Sequence, residues 1–331
     1  MARKRPSKAQ LRQRYLAAGW VGLGLLVGLG LGIGLWAYTQ PPAADGDRRT
    51  AAAPPAMEES EAPAPPAAPP EPPAAVAPGV QDRGPRAAII IDDLGNNWAE
   101  AQAVNGLPYP VAVAVLPGTP YAARTARRAH ERGKEVLAHM PMEPSDGTIR
   151  LGGNFLRTGM PREQLLATLR ANLDGIPYVQ GINNHMGSRL TARARPMGWV
   201  MQALRERGLY FVDSRTTAAT EGLSQARAQG LPAAQRDVFL DHEPTESAIR
   251  AQFRELLDEA RDQGTAIAIG HPHPATLKVL REMLPEASRR GVEIVPLREV
   301  VAVRSGGGVA PDSLAYNRAP SGTQNAKGET P

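Results

Sequence analysis

The sequence contains no cysteine among its 331 residues. That absence excludes a disulfide framework, a thiolate metal site and a cysteine nucleophile, but it leaves the redox compartment undecided. A net charge of +5 would by itself suggest nucleic acid, yet several of the basic residues stand within the first fourteen positions. A membrane surface explains basic residues there better, because a long apolar run follows them. We therefore expect no nucleic-acid partner.

Charged residues are absent from residues 16–38. A helix of that length, at about 1.5 Å per residue, crosses the roughly 30 Å hydrocarbon layer of a bilayer, and the basic segment 1–15 then stays in the cytoplasm. We predict a single-pass inner-membrane anchor that places the rest of the chain in the periplasm; the alternative is a cleaved signal peptide and a secreted protein. GxxxG spacings at Gly24, Gly28 and Gly32 suit a homodimer of two such helices, and the alternative is an anchor without a partner.

Two further segments lack the composition of a folded domain. Residues 39–85 are rich in proline and alanine, which cannot bury a core but make a stiff spacer with a reach on the order of 100 Å. Residues 304–331 are rich in Gly, Ser, Asn and Pro, and we expect them to be disordered. Residues 86–303 remain as one sizeable domain.

Short apolar runs alternate with helical patterns through this domain. Eight runs are predicted strands: 87–91, 111–116, 135–138, 179–182, 209–212, 238–240, 265–269 and 292–295. Five segments between them have helical spacing: 121–132, 162–173, 197–207, 245–263 and 275–290. Glycines at 133, 208, 264 and 291 are predicted C-terminal caps. Repeated βα units of this size predict a parallel sheet, most simply a (β/α) barrel of seven or eight strands.

The first predicted strand ends in the run IIIDDLGNN, which places Asp92 and Asp93 directly after an unbroken apolar run. Such a run is typical of a strand buried on both faces, as in parallel sheets. Successive residues on a strand point to opposite faces, so we expect the two carboxylates to have different roles. Both are costly to keep ionised without a cation or hydrogen-bond donors nearby. The alternative is that they cap the turn that follows.

Polar clusters follow most of the predicted strands. They are Asp92-Asp93, His139 with Glu143, Asn183-Asn184-His185, Asp213-Ser214-Arg215, Asp241-His242-Glu243, and His271 with His273. Because the carboxyl ends of parallel barrel strands converge on one mouth, we expect a single site assembled from several strands. A site with carboxylates and imidazoles but no thiolates suits a hydrolytic divalent metal, with zinc favoured.

The order of the motifs resembles a known family. The runs IIIDDLGNN, VLPG, HMPMEP, GINNHMGSRLT, FVDSRTT, RDVFLDH and IAIGHPHP are similar to those of the divergent polysaccharide deacetylases, which are related to NodB-type carbohydrate esterases. The resemblance covers essentially all of residues 86–303. It implies a NodB-like barrel and metal-dependent hydrolysis of an N-acetyl group on a glycan. The anchor and spacer favour peptidoglycan or another cell-envelope polysaccharide as substrate.

The resemblance also implies a role for individual residues. In the NodB-type pattern the first Asp of the pair acts as base and the second as metal ligand, which assigns these roles to Asp92 and Asp93. His139 is expected to bind the metal. His271 is expected to protonate the leaving nitrogen.

The sequence departs from the family pattern at two points. Glu143 stands four residues after His139, where the relatives have a second metal-binding histidine, so we expect His185 to supply the missing nitrogen. The arginine- and proline-rich motif of the relatives is also absent, and NNHMGS occupies that part of the chain. The missing histidine leaves open the alternative of a catalytically inactive glycan-binding or envelope scaffold protein on the same fold.

Other strand-end residues have less specific expectations. Those expected to bind substrate are Asn184, Ser188, Asp213 and Arg215. Those expected to have supporting roles are Glu143, Asp241, His242 and His273. A Ser188 hydroxyl suits oxyanion stabilisation, and Arg215 suits a substrate carboxylate.

Purely structural alternatives remain for the same residues. Asp213, Arg215 and Asp241 would then pair only with one another across the mouth. His139 would be an inward residue bonded to backbone, and His271 would cap the helix that follows it.

Overall fold

The computed structural model of the chain describes residues 84–306. The predicted basic segment and anchor, nearly all of the linker and most of the predicted tail lie outside these residues. Within 84–306, the helices are too short or too polar to span a bilayer.

The described part of the chain contains nine strands and eight helices, which alternate except where two short strands follow each other directly. The strands are β1 Arg86–Leu94, β2 Ala112–Val115, β3 Val136–Met142, β4 Val179–Met186, β5 Tyr210–Asp213, β6 Ala233–Gln235, β7 Val238–Phe239, β8 Thr265–Gly270 and β9 Glu293–Ile294. The helices are α1 Trp98–Asn105, α2 Ala122–Glu131, α3 Arg162–Asp174, α4 Ala194–Glu206, α5 Gly222–Ala228, α6 Glu246–Gln263, α7 Pro274–Arg289 and α8 Leu297–Arg304.

All strand pairs of the sheet are parallel, in the order β6-β5-β4-β3-β2-β1-β8-β7, with β9 beside the start of β1. The predicted parallel α/β architecture is therefore confirmed. The hydrogen-bonded path does not close on itself, because β6 pairs with β5 while β7 pairs with β8. Only Arg236 and Asp237 separate β6 from β7. The sheet is thus an open half-barrel, and the gap between its two edge strands, the seam, is bridged only by this short chain segment. Within residues 84–306 the structure does not show the closed barrel of seven or eight strands that the sequence predicted.

β1 lies at the centre of this sheet because its side chains suit burial on both faces. Residues 87–91 are fully buried, and alternate members belong to different apolar clusters. Ile89 and Ile91 pack in the outer cluster with the helices, whereas Ala88 and Ile90 pack in the inner one. Successive strand residues point to opposite faces, so an unbroken apolar run fills both layers.

Helix α8 covers the amino ends of the strands. Its residues Leu297, Val300 and Val301 belong to the inner cluster. Arg304, its last residue, donates to Asp237 Oδ2 at 2.6 Å and to the backbone oxygen of Thr265 at 2.8 Å. Apolar packing and paired charges thus occupy this end of the sheet, and the polar clusters predicted from the sequence lie at the carboxyl ends of the strands.

The sequence analysis did not predict several of the shortest helices and strands. Helices α1, α5 and α8 have eight, seven and eight residues, and strand β6 has three. An apolar period is hard to recognise over two turns of helix or three residues of strand. The glycines predicted to end helices at 133, 208, 264 and 291 all have positive φ, between 65° and 78°, as left-handed caps require.

Candidate functional site

The carboxylates of Asp92 and Asp93 lie at the same site. His139 Nε2 is 3.6 Å from Asp92 Oδ2 and 3.2 Å from Asp93 Oδ1. The expectation that the two side chains point to opposite faces is therefore wrong. Asp93 has a left-handed φ of 59°, and the pairing of β1 with β2 shifts register between Ile91 and Leu94. A residue in that conformation breaks the alternation of a regular strand, so both carboxylates reach the mouth.

Three donor atoms form a tight triangle at this point. Asp93 Oδ1 is 3.2 Å from His139 Nε2 and 3.0 Å from His185 Nδ1, and the two nitrogens are 3.1 Å apart. Asp93 Oδ1 is buried and has no hydrogen-bond donor in acceptable geometry. Ligand atoms that bind one zinc ion at about 2.0 to 2.2 Å are separated by roughly 3 Å. The spacing, the donor types and the unsatisfied oxygen all fit a divalent cation.

Strand pairing brings the two histidines together. In the register of β3 with β4, His139 is opposite Asn183 and Pro141 is opposite His185. Asn183 and His185 are two residues apart, so they share one face of β4 with the neighbouring His139. The geometry thus groups the three residues that the sequence singled out as metal ligands.

Asn183 orients both His139 and Asp92, a role that the sequence analysis missed. Its Oδ1 is 3.0 Å from His139 Nδ1, and its Nδ2 donates to Asp92 Oδ1 at 2.8 Å. Because the amide nitrogen faces Asp92, the amide oxygen accepts from His139 Nδ1–H. That tautomer leaves Nε2 unprotonated toward Asp93 when the ring is neutral. The two-residue spacing from His185 was a signal that could have identified Asn183.

Burial and charge act against each other in this cluster. Burial raises the pKa of Asp92, and the nearby His139 offsets only part of that effect. For Asp93 burial acts in the same direction, but the adjacent His139 and His185 outweigh it and hold the pKa of that carboxyl well below its usual range. Asp93 is therefore an anion, as a metal ligand must be, whereas Asp92 binds a proton more readily than an ordinary aspartate does.

Asp241 holds His271 at the end of β8, which lies on the other side of β1 from the strands that carry His139 and His185. Asp241 Oδ2 accepts from the backbone N–H of His271 at 2.6 Å and from Thr276 Oγ1 at 2.8 Å, while Oδ1 is 3.0 Å from His271 Nδ1. His271 Nε2 then faces Asp93 Oδ2 at 3.8 Å. Burial would lower the pKa of His271, but the Asp241 carboxylate outweighs it, so that the pKa is raised. The following helix begins after His273, so His271 does not cap it.

Comparison with known proteins identifies the family of this domain. The family model described as "divergent polysaccharide deacetylase" matches residues 89–301. The chain belongs to this family. The uncharacterized protein YibQ of Escherichia coli K12 is 43% identical over 199 residues, which are 60% of this chain and 62% of YibQ. An uncharacterized protein of Haemophilus influenzae is 36% identical over 196 residues, 59% of this chain and 70% of that protein.

A solved structure supports the fold of this divergent polysaccharide deacetylase domain. The crystal structure of the uncharacterized protein ATU2773 from Agrobacterium tumefaciens C58 matches with a TM-score of 0.64 and 29% sequence identity. The match covers 68% of this chain and 92% of that one. The likeness therefore extends over nearly the whole of the related structure.

Several other predicted site residues of the deacetylase domain have their polar atoms engaged within the protein. Asn184 Oδ1 accepts from the backbone N–H of Ser214 at 2.9 Å, and Ser188 Oγ accepts from that of Ser145 at 2.8 Å. Asp213 is fully buried, and its Oδ2 accepts from Thr220 Oγ1 at 2.6 Å. These contacts build the loops of the mouth.

The supporting residues fall into two groups. Glu143 Oε2 accepts from the backbone N–H and the hydroxyl of Thr158, at 2.6 and 2.7 Å. These bonds attach the segment that follows β3 to the loop before α3. His242 and His273 are exposed. The ring of His273 is 5.7 Å from that of His271, and that of His242 is 5.9 Å from that of Phe239.

Proposed function

We propose that this protein is a metal-dependent hydrolase that removes the acetyl group from an N-acetylated glycan of the cell envelope. The observation that carries the proposal is the triangle of Asp93, His139 and His185 donor atoms, 3.0 to 3.2 Å apart, between a buried carboxylate and a carboxylate-held imidazole. Membership of the divergent polysaccharide deacetylase family supports the same reaction class.

Asp93, His139 and His185 are the residues that would hold the cation. The unsatisfied Asp93 Oδ1 and the tautomer that Asn183 imposes on His139 both suit this role. A divalent ion there supplies a Lewis acid that polarises a carbonyl and acidifies water. Two nitrogens and one oxygen are typical ligands of catalytic zinc, and we propose zinc as the ion.

Asp92 is the proposed general base. Asp92 is 3% exposed, and burial raises its pKa, so it takes up a proton more readily than a surface carboxylate does. The bond from Asn183 Nδ2 to Oδ1 leaves Oδ2 directed toward the triangle, 3.6 Å from His139 Nε2. That position suits removal of a proton from an attacking water.

His271 is the proposed general acid. Asp241 occupies its Nδ1 and raises its pKa, so a proton on Nε2, which faces the site, is held to higher pH than on an ordinary imidazole. Transfer of that proton to the departing nitrogen turns a poor leaving group into an amine. Acid and base thus lie at the ends of the neighbouring strands β1 and β8, with separate hydrogen-bond partners, Asn183 for Asp92 and Asp241 for His271, that set their protonation differently.

The cellular setting of the proposal comes from the sequence. A charge-free run at 16–38 after a basic segment supports an inner-membrane anchor, and the proline-rich spacer supports a domain held in the periplasm within reach of peptidoglycan. The GxxxG spacings support pairing of two anchors. Fractionation of membranes and protease accessibility in spheroplasts test this placement, and a cytoplasmic domain would overturn it.

Acetate release by the purified full-length protein tests the reaction. We expect acetate from N-acetylglucosamine oligomers, about one bound divalent ion per chain, and loss of both in Asp93→Asn. Asparagine is nearly isosteric with aspartate and tolerates positive φ, so this variant keeps the fold. A parent protein that binds glycan, but binds no divalent metal and releases no acetate, would instead indicate an inactive binding protein.

A further inference from the structure

Left-handed backbone conformations mark the mouth of the site. Four non-glycine residues within 84–306 have positive φ, and three of them lie at or just after the carboxyl ends of strands: Asp93 at 59°, Met186 at 55° and Arg215 at 51°. Asp93 is a proposed metal ligand and Met186 follows His185, another one. Residues held in this region of φ cost energy and are frequent at functional sites. Arg215 is the remaining member of the group.

The backbone around Arg215 is fixed on every side. Its own N–H donates to Asp213 Oδ1 at 2.8 Å. Ser214 N–H before it donates to Asn184 Oδ1 at 2.9 Å, and Thr216 Oγ1 after it donates to the backbone oxygen of Met186 at 2.9 Å. Asn184 and Met186 flank the proposed ligand His185. The loop therefore holds Arg215 next to the proposed metal site.

The side chain of Arg215 contrasts with its backbone. Arg215 is exposed, and within the part of the chain that the structure describes its guanidinium has no ion pair or hydrogen bond. Several hydrogen bonds fix the backbone of this loop, while the guanidinium that the loop carries at the mouth stays unpaired. A cation presented in this way is suited to an anion that arrives from solution.

Arg236 adds a second positive charge beside the first. Its Nε donates to the backbone oxygen of Ser214 at 2.9 Å, and its Nη2 lies 3.4 Å from the backbone oxygen of Arg215. Burial, and then the charge of Arg215, lower the pKa of Arg236. Two like charges placed side by side disfavour each other unless an anion joins them.

Nearby carboxylates offset this pair only in part: Asp237, Asp92 and Asp213 raise the pKa of Arg236 against burial and Arg215, but each of the three has another partner. Asp237 pairs with Arg304 at 2.6 Å. Asp213 is fully buried beneath the loop and accepts from Thr220. Asp92 is committed to Asn183 and His139.

We infer that Arg215, backed by Arg236, binds a carboxylate of the substrate, so that the preferred substrate is an acidic N-acetylated glycan. The inference rests on the proposed function in one respect, namely that a glycan enters this mouth. Its chemistry matches glycans whose sugars carry a lactyl ether or a uronic acid, because a planar guanidinium binds a carboxylate through two parallel hydrogen bonds. Neutral N-acetylglucosamine polymers lack that group.

Binding of matched glycans to the full-length protein tests the inference without requiring turnover. The probes are a tetrasaccharide of alternating N-acetylglucosamine and N-acetylmuramic acid and the same compound with its carboxylates methylated. Calorimetry should give at least about tenfold tighter binding of the acid form, as a charge-assisted bidentate contact provides. Equal affinities for acid and ester would overturn the inference.

Variants locate the effect. Arg215→Asn removes the charge while tolerating positive φ, and should abolish the preference for the acid form. Arg215→Lys keeps the charge but loses the fork geometry, and should retain only part of the preference. Arg254→Asn removes an exposed arginine from α6 and should change nothing. A folded Arg215→Asn protein that keeps the full preference contradicts the assignment; if that variant does not fold, an undiminished preference in Arg215→Lys does so.

Failure of the proposed reaction gives a different pattern. If no acetate is released from either glycan but the acid form binds through Arg215, the hydrolase proposal fails and the carboxylate site stands. If acetate is released equally well from acid and ester, with no effect of Arg215→Asn on KM, the hydrolase proposal stands and the carboxylate site fails.

Discussion

Asp241 bonds to His271 with both of its carboxylate oxygens, Oδ1 to the imidazole Nδ1 at 3.0 Å and Oδ2 to the backbone N–H at 2.6 Å. One side chain therefore fixes the position, the tautomer and the charge of the proposed acid. The strand-end motif RDVFLDH and the motif IAIGHPHP, which are 30 residues apart at these positions, act as one unit.

Asp241→Asn should move the alkaline limb of the pH–kcat profile to lower pH. The reaction requires protonated His271, and Asp241 raises the pKa of that imidazole. Without the carboxylate the pKa falls, so the proton is lost at lower pH. NMR titration of His271 in the variant checks the shift independently of turnover, and an unchanged titration would show that Asp241 does not set it.

Asp92→Asn should separate chemistry from metal binding. We expect kcat to fall by about 10²- to 10⁴-fold, the usual contribution of a general base, with metal content unchanged. Asp93→Asn should lose the metal instead, because its Oδ1 belongs to the donor triangle. The metal content and the rate of acetate release are measured for both variants. Loss of metal from Asp92→Asn would mean that Asp92 is itself a ligand.

Asn183→Ala should weaken metal affinity by about 10- to 100-fold, the range found when a group that orients a histidine ligand is removed. The variant frees His139 Nδ1 from its 3.0 Å partner. Competition with a chelator gives the affinity. Thr216→Ala is a control at the same mouth, because Thr216 bonds to the Met186 backbone and not to a proposed ligand.

Asn105→Leu should stabilise the domain by about 1 kcal/mol. Asn105 is 3% exposed, and both polar atoms of its side chain lack a partner, so an apolar side chain of similar size removes a desolvation cost. Asn172→Leu is the matched opposite, because Asn172 Nδ2 donates to the backbone oxygen of Asn154 at 2.8 Å. Urea unfolding should show it destabilised by about 1 to 3 kcal/mol, and a loss in both variants would contradict the distinction.

Arg304→Met should cost about 3 kcal/mol or more, because it leaves the half-buried Asp237 carboxylate without its cation and releases α8 from the amino ends of the strands. Arg250→Met is the control, since Arg250 pairs with Glu246 and Glu282 on the surface and should leave the urea midpoint nearly unchanged. Similar losses for the two variants would argue against a special role for the contact beneath the seam.

The sequence by itself determined the parallel α/β architecture, the burial of β1 on both faces and the strand-end residues that make up the candidate site. Apolar runs of strand length and glycines after helices are local signals, so they survive without knowledge of the fold. The strand-end histidines and aspartates could be grouped because parallel strands bring their carboxyl ends to one mouth.

Only the tertiary structure decided how those residues act together. The left-handed backbone at Asp93 brings both carboxylates to His139, register places Asn183 between His139 and Asp92, and the loop after β5 leaves Arg215 unpaired. None of these relationships has a local signature, because each depends on distances between segments far apart in the chain. Metal sites and anion sites are defined by such distances to within about 0.2 Å, which composition and spacing do not specify.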